Sequence, residues 1–135
     1  MVLSTTIYDG EKHCHVIHAP SESQIETDAP KDNNGKGEKF SPTDLVGAAL
    51  GACILTTMAI VFEKEGLNFK GSHAQVTKEM LVSPRRIAKL VVRITFPKGI
   101  PADFRPKIEK IAQACPVHKS LHPDIEIPIE IIYPD

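Results

Sequence analysis

Apolar and polar side chains are interleaved over three short stretches at the start of the chain, residues 2 to 8 (VLSTTIY), 12 to 18 (KHCHVIH) and 22 to 27 (ESQIET). The turn formers Asp9-Gly10 and Pro20-Ser21 separate them. This pattern predicts three short strands in a meander. From Asp28 to Lys39 the text changes to DAPKDNNGKGEK, polar and rich in Gly, Asn and Pro. Such a segment cannot bury anything and is expected as a mobile loop. It contains no G-x-x-x-x-G-K-[ST], so Gly35-Lys36-Gly37 is not read as a phosphate loop.

The alternation then gives way to eighteen residues without a charge, Leu45 through Phe62. Ser41 is placed to be an N-cap, Pro42 to be the first helical residue, and Asp44 to complete a capping-box-like S-x-x-D. Gly66 is the expected stop. A helix of about 24 residues would be roughly 36 Å long, enough to be the axis of a small domain. The run sits at the lower edge of what spans hydrocarbon. Its Gly47, Gly51, Thr56 and Thr57, its place in mid-chain and the amphipathic segments on both sides read instead as a buried central helix.

Beyond it, residues 73 to 80 and 87 to 96 (IAKLVVRITF) predict a hairpin across SPRR, with Ala88, Leu90, Val92, Ile94 and Phe96 on the buried face. Pro101 to Ala114 places Phe104, Ile108, Ile111 and Ala112 at helical spacing. Pro116 interrupts this second helix, and VHKSL can add another turn or two. Ile125 to Tyr133 (IEIPIEIIY) is expected as a last strand, at an edge or bulge because of Pro128. The order of elements is that of an α+β fold, read as a single domain over residues 1–135 with no internal repeat.

Composition narrows the chemistry. With 41% hydrophobic residues the chain can build a core, and 16 basic against 17 acidic residues leave no electrostatic footprint for nucleic acid or an anionic membrane. The opening MVLSTTIYDG lacks the features of a signal peptide, so a cytoplasmic location, with reduced thiols, is expected. Three cysteines, Cys14, Cys53 and Cys115, therefore have burial or chemistry to account for them.

On a helical wheel Cys53 shares its face with Val46, Ala49, Leu50, Thr56, Thr57 and Ile60, which fits a small core residue as well as a reactive one. Cys115 precedes Pro116 and is placed to cap the VHKSL helix, so backbone amides would face its sulfur. A helix N-terminus and His118, three residues on, are two sources of thiolate stabilisation, and a purely structural cap is the other reading. Cys14 is expected to be a buried strand residue.

Two stretches carry a more specific signal. SPTDLVGAALGAC, ending at Cys53, and ACPVHKSL, whose cysteine lies 62 residues later, resemble the two cysteine signatures of the OsmC/Ohr family of osmotically induced and organic-hydroperoxide-resistance proteins. The predicted order of elements follows that fold across essentially the whole chain. The resemblance implies antiparallel sheets around a long central helix, in an intertwined homodimer that buries the two helices with both chains. It implies that Cys53 is the peroxidatic thiolate and that Cys115 resolves its sulfenic acid as a disulfide. A small organic hydroperoxide is then the substrate and an external dithiol the reductant, with no bound cofactor, no metal, and no nucleic-acid or membrane partner.

The sequence departs from the family at the cation. A mid-helix thiol in apolar surroundings needs a positive charge to become a thiolate. The best-characterised relatives supply an arginine from the N-terminal strands, held by a glutamate, whereas no arginine here precedes Arg85 and Thr43 stands at the glutamate's place. Asp44, one position on, lies about 13 to 14 Å along the axis from Cys53 and points away from it, so it serves either a partner chain's site or the helix cap. Lys12, Lys36, Lys39, Arg85 and Arg86 are the substitute cations. The expected activity is thus modest or specialised, and a non-catalytic ligand-binding or redox-sensing dimer is the alternative. A metal site at His13 and His15, which share one strand face, is a further reading.

Overall fold

The computed structural model describes residues 1–134. The chain, expected as one domain, gathers into two compact units, Met1–Val46 and Gly47 onward, each with its own three-stranded sheet.

In the first unit β1 (Ser4–Gly10), β2 (His13–His18) and β3 (Gln24–Asp28) form the expected meander, antiparallel throughout. The β1–β2 turn is built from Gly10, Glu11 and Lys12, all at positive φ, which Gly tolerates at no steric cost. Tyr8, Cys14 and Thr27 lie across from one another, as do Ile7, His15 and Glu26, so the pleat puts Asp9, His13, His15, Glu26 and Asp28 on one face.

The segment expected to be a mobile loop unable to bury anything is a closed one, and Asp28 at its start is buried. Asp28 N–H donates to Phe40 O (3.0 Å), Ala29 N–H to Lys12 O (3.0 Å) and Gly37 N–H to Ala29 O (3.1 Å). Pro30 O accepts from both Asn33 and Gly35. Gly35 is required there, since a Cβ would lie 1.8 Å from Ala29 O. Composition showed no apolar cover, but the backbone satisfies itself locally.

The long helix α1 runs Pro42–Phe62, and a 3-10 turn, Glu63–Glu65, carries it to Gly66 at φ 91°. Its start is the predicted capping box: Ser41 N–H donates to Asp44 Oδ2 (2.9 Å) and Asp44 N–H to Ser41 Oγ (3.1 Å). By length and composition it is apolar enough to cross a membrane. One stripe, Gly47, Leu50, Gly51, Ile54, Met58 and Phe62, is buried. Gly47 and Gly51 allow the close approach of Val76, whose methyls would stand 3.4 and 3.3 Å from a Cβ at either position.

In the second unit β4 (His73–Val82) and β5 (Arg85–Thr95) form the expected hairpin. Leu90, Val92, Ile94 and Phe96 are buried, as the alternation requires. Ile87 is buried as well, because a bulge pairs Met80 with Ile87 and leaves Ala88 extra, which reverses the parity. The last strand, β6 (Ile129–Ile132), lies at the sheet edge, as Pro128 suggested, but pairs parallel to β5. The sheet is therefore mixed, a departure from the expected antiparallel pairing, since the helical segment between β5 and β6 acts as a crossover. That segment holds α2 (Arg105–Ala112), whose Ile108 and Ala112 enter the core, and α3 (Pro116–Ser120).

Candidate redox site

Cys53 sits midway along α1, at the border between its buried stripe and the opposite face, and is half-buried. Its Sγ lies 3.9 Å from Thr57 Oγ1, one turn on. The opposite face carries Ala49, Ala52 and Ile60, and Ile60 is 76% exposed. Within one chain the face of Cys53 is therefore open, not dry.

Cys115 is fully buried. It is the N-cap of α3, with Pro116 as the first helical residue and its Sγ accepting the His118 N–H at 3.4 Å. The fold brings this sulfur near Cys53, close enough for the two thiols to affect each other's protonation. Burial pushes the Cys115 thiol upward, the His118 amide opposes this, and the neighbouring Cys53 thiol adds to the rise. Cys115 is thus a thiol at neutral pH, with an S–H to share with its neighbour. All three cysteines are free. Cys14 is half-buried in β2 between Tyr8 and Thr27.

Asp44, the third candidate, spends its carboxylate on the Ser41 amide in the first turn of α1. Of the substitute cations, Lys36 pairs with Glu11 at 2.8 Å and Lys39 with Glu26 at 3.6 Å. The Glu11 carboxyl is held low and the Lys36 ammonium high by their mutual hydrogen bond. Arg86 donates to Ile87 O at the hairpin tip.

Sequence reasoning missed what His13 and His15 do. His13 Nδ1 meets Asp28 Oδ1 at 2.6 Å, its Nε2 meets Glu26 Oε1 at 3.2 Å, and His15 Nδ1 meets Asp9 Oδ2 at 2.8 Å. Among the described residues no group of three or more His, Cys, Asp or Glu side chains is arranged to hold a metal. The signal was present in the strand alternation: pairing β2 with β3 in register puts His13 opposite Asp28 and His15 opposite Glu26.

Residues 35–130 match the model of the family described as OsmC-like protein. No curated protein matches the chain. A crystal structure from Psychrobacter arcticus 273-4, described as a candidate osmotic stress induced and detoxification response protein, is 39% identical, with 98% of this chain and 96% of that one covered and a TM-score of 0.93. The organic hydroperoxide resistance protein OsmC of Legionella pneumophila has a TM-score of 0.77 at 12% identity, covering 97% and 96% of the two chains. OhrB of Bacillus subtilis, an organic hydroperoxide resistance protein, has a TM-score of 0.70 at 14% identity, covering 98% of each. With both cysteine segments inside the matched span, the chain belongs to the OsmC-like protein family.

Proposed function

We propose that the protein is a thiol-dependent peroxidase acting on organic hydroperoxides. The Cys53 thiolate attacks the distal peroxide oxygen, the O–O bond breaks, and an alcohol leaves with one proton while Cys53 becomes a sulfenic acid. The Cys115 thiol then attacks the Cys53 sulfur, forms a disulfide and releases water. An external dithiol reduces the disulfide by two exchange steps and is itself oxidised. The observation that supports this reading is the nearness of the two thiols, one on α1 and one capping α3.

The reading includes a homodimer and a cytoplasmic location. An exposed apolar helix face bearing Ala49, Ala52 and Ile60 is suited to a second copy, which would dry the surroundings of Cys53. A reducing compartment keeps the pair ready for reaction. No bound cofactor enters any step.

A second reading, a redox sensor or ligand-binding dimer without turnover, is favoured by one observation: Lys36 and Lys39 already hold carboxylate partners. Peroxide consumption by wild type, Cys53→Ser and Cys115→Ser, with a dithiol supplied, separates the two. Turnover in wild type that vanishes in Cys53→Ser supports the enzyme. Activity that persists without Cys53 rules out its assignment, and no activity in any variant leaves the sensor.

A further inference from the structure

His13 stands on the polar face of the first sheet with a carboxylate at each ring nitrogen. Nδ1 is 2.6 Å from Asp28 Oδ1, and Nε2 is 3.2 Å from Glu26 Oε1 and 4.0 Å from Asp9 Oδ2. An ionised carboxylate can only accept, so both ring nitrogens must carry protons for both contacts to be hydrogen bonds. The geometry is that of an imidazolium.

Asp28 passes this charge to the chain beyond it. Its side chain is 5% exposed, and while Oδ1 takes the His13 proton, Oδ2 accepts the Glu38 N–H at 2.9 Å. The Asp28 amide in turn donates to Phe40 O. The buried carboxylate therefore holds the far end of the segment at Glu38, and the backbone of the same residue holds Phe40. Ala29 N–H also donates to Lys12 O, and the exposed pairs Lys36 with Glu11 and Lys39 with Glu26 are each worth little in water. Beneath it lies a polar hollow of about 310 Å³.

The charged groups facing His13 decide what losing its proton does. Asp9 comes from β1, Glu11 from the β1–β2 turn, His15 from β2, Glu26 and Asp28 from β3, and Lys36, Glu38 and Lys39 from the segment. With Lys36 and Lys39 paired to Glu11 and Glu26, and His15 to Asp9, His13 is the cation hydrogen-bonded to the buried Asp28 carboxylate, and Lys36 acts on it from farther away. Neutral His13 would leave that carboxylate one donor short and beside Glu26 and Asp9, an arrangement that burial penalises strongly.

We propose that the proton on His13 is a latch: while it is present the Ala29–Phe40 segment is held closed through Asp28, and its loss as pH rises releases the segment. The hydrogen bond to Asp28 raises the His13 titration above its ordinary value and lowers that of Asp28, which widens the pH range of the closed form at both ends. The latch belongs to the first unit and does not depend on the cysteine chemistry.

NMR on the wild-type chain tests it, following the His13 ring resonances and the exchange protection of the Glu38 amide, relative to its intrinsic rate, across pH 6 to about 10. His13 is expected to titrate above about 6.5. Glu38 protection is expected to fall roughly tenfold or more through that titration while the Val92 amide, bonded to Pro128 O, keeps its own. His13→Arg retains a cation and should keep Glu38 protected at both ends of the range. Glu38 protection that ignores the His13 titration, or a His13→Arg protein that opens like wild type, overturns the latch. If His13→Arg does not fold, the wild-type titration alone decides.

Discussion

Cys115 lies near enough to Cys53, which precedes it by 62 residues, for the one thiol to hold the other's proton more tightly. Neither segment could create this contact alone: α1 supplies a thiol on a rigid axis, and Pro116 starts the turn whose N-cap presents the other. Treating the reduced protein with one equivalent of an organic hydroperoxide should therefore lower its mass by two hydrogens. Peptide mapping should find Cys53 joined to Cys115 and Cys14 still alkylatable. A Cys14-containing disulfide, or a stable sulfinic acid at Cys53 with Cys115 untouched, would contradict the pairing.

The raised Cys115 thiol gives the reduced protein an alkaline weakness. Its proton is bound more tightly in the folded than in the unfolded chain, where a thiol titrates near about 8.5. Below that pH both states hold the proton and stability is whole. As pH rises towards the folded value the unfolded state sheds its proton first, and stability falls. Urea unfolding of reduced wild type between pH 7 and 10 should show this slope, and Cys115→Ser should flatten it. Equal slopes in the two proteins would mean that burial of this thiol carries no linkage.

The two helix caps are predicted to differ in what they control. Ser41→Ala removes the acceptor of the Asp44 amide and should cost about 1 kcal/mol, a fall in melting temperature of about 4 °C. Asp44→Asn weakens the reciprocal bond to the Ser41 amide and should cost less. Neither should change the rate of Cys53 oxidation by more than about twofold, because Asp44 acts as a cap. At the other helix, Cys115→Ser keeps a capping oxygen and should be nearly neutral in stability, while Cys115→Ala should cost about 1 to 2 kcal/mol. A large loss of oxidation rate in Asp44→Asn would return that residue to the active site.

Most of these relationships were legible because they are local. Ser41, Pro42 and Asp44 announce a helix start through backbone donors that any sequence must satisfy, and Cys115-Pro116 does the same for α3. Alternation in β5 named its buried face. What escaped was set between segments. The bulge that buries Ile87 depends on the partner strand, and the parallel pairing of β6 depends on where the crossover returns it. The order in the Asp28–Lys39 segment comes from a carboxylate bonded both to a histidine fifteen residues earlier and to an amide ten residues later. Composition, which saw only Gly, Asn and Pro there, has no means of registering that geometry.

The exposed side of α1 predicts association. Ile60, 76% exposed in one chain, projects from the same face as Ala49 and Ala52. Ile60→Glu would place a charge where a second copy is expected to pack, and burying an unpaired carboxylate is costly. Light scattering after gel filtration should therefore find wild type as a dimer and Ile60→Glu shifted to monomer, with Cys53 alkylated faster once uncovered. A variant that stays dimeric with unchanged alkylation would place the contact on another surface.

The buried side of the same helix gives a complementary test, because its close approach to β4 is set by two glycines. A Cβ at Gly51 would stand 3.3 Å from Val76 Cγ2 and 3.5 Å from Ala74 Cβ. Alanine gains up to about 1 kcal/mol in helix propensity over glycine, and the valine methyl need yield only a few tenths of an ångström, so Gly51→Ala should change stability by less than about 1 kcal/mol. Leucine has no such escape: its branched carbons must enter space already held by Val76 and Ala74, and overpacking of this kind costs about 1 to 3 kcal/mol. Chemical denaturation should accordingly separate the two variants, with Gly51→Leu clearly the weaker. Because the second unit packs Cys115 into the same core as Leu50 and Ile54, displacement of α1 should also slow disulfide formation with Cys53 in the leucine variant. Equal stability and equal disulfide rates in both would show that the helix approaches the sheet less closely than these contacts require.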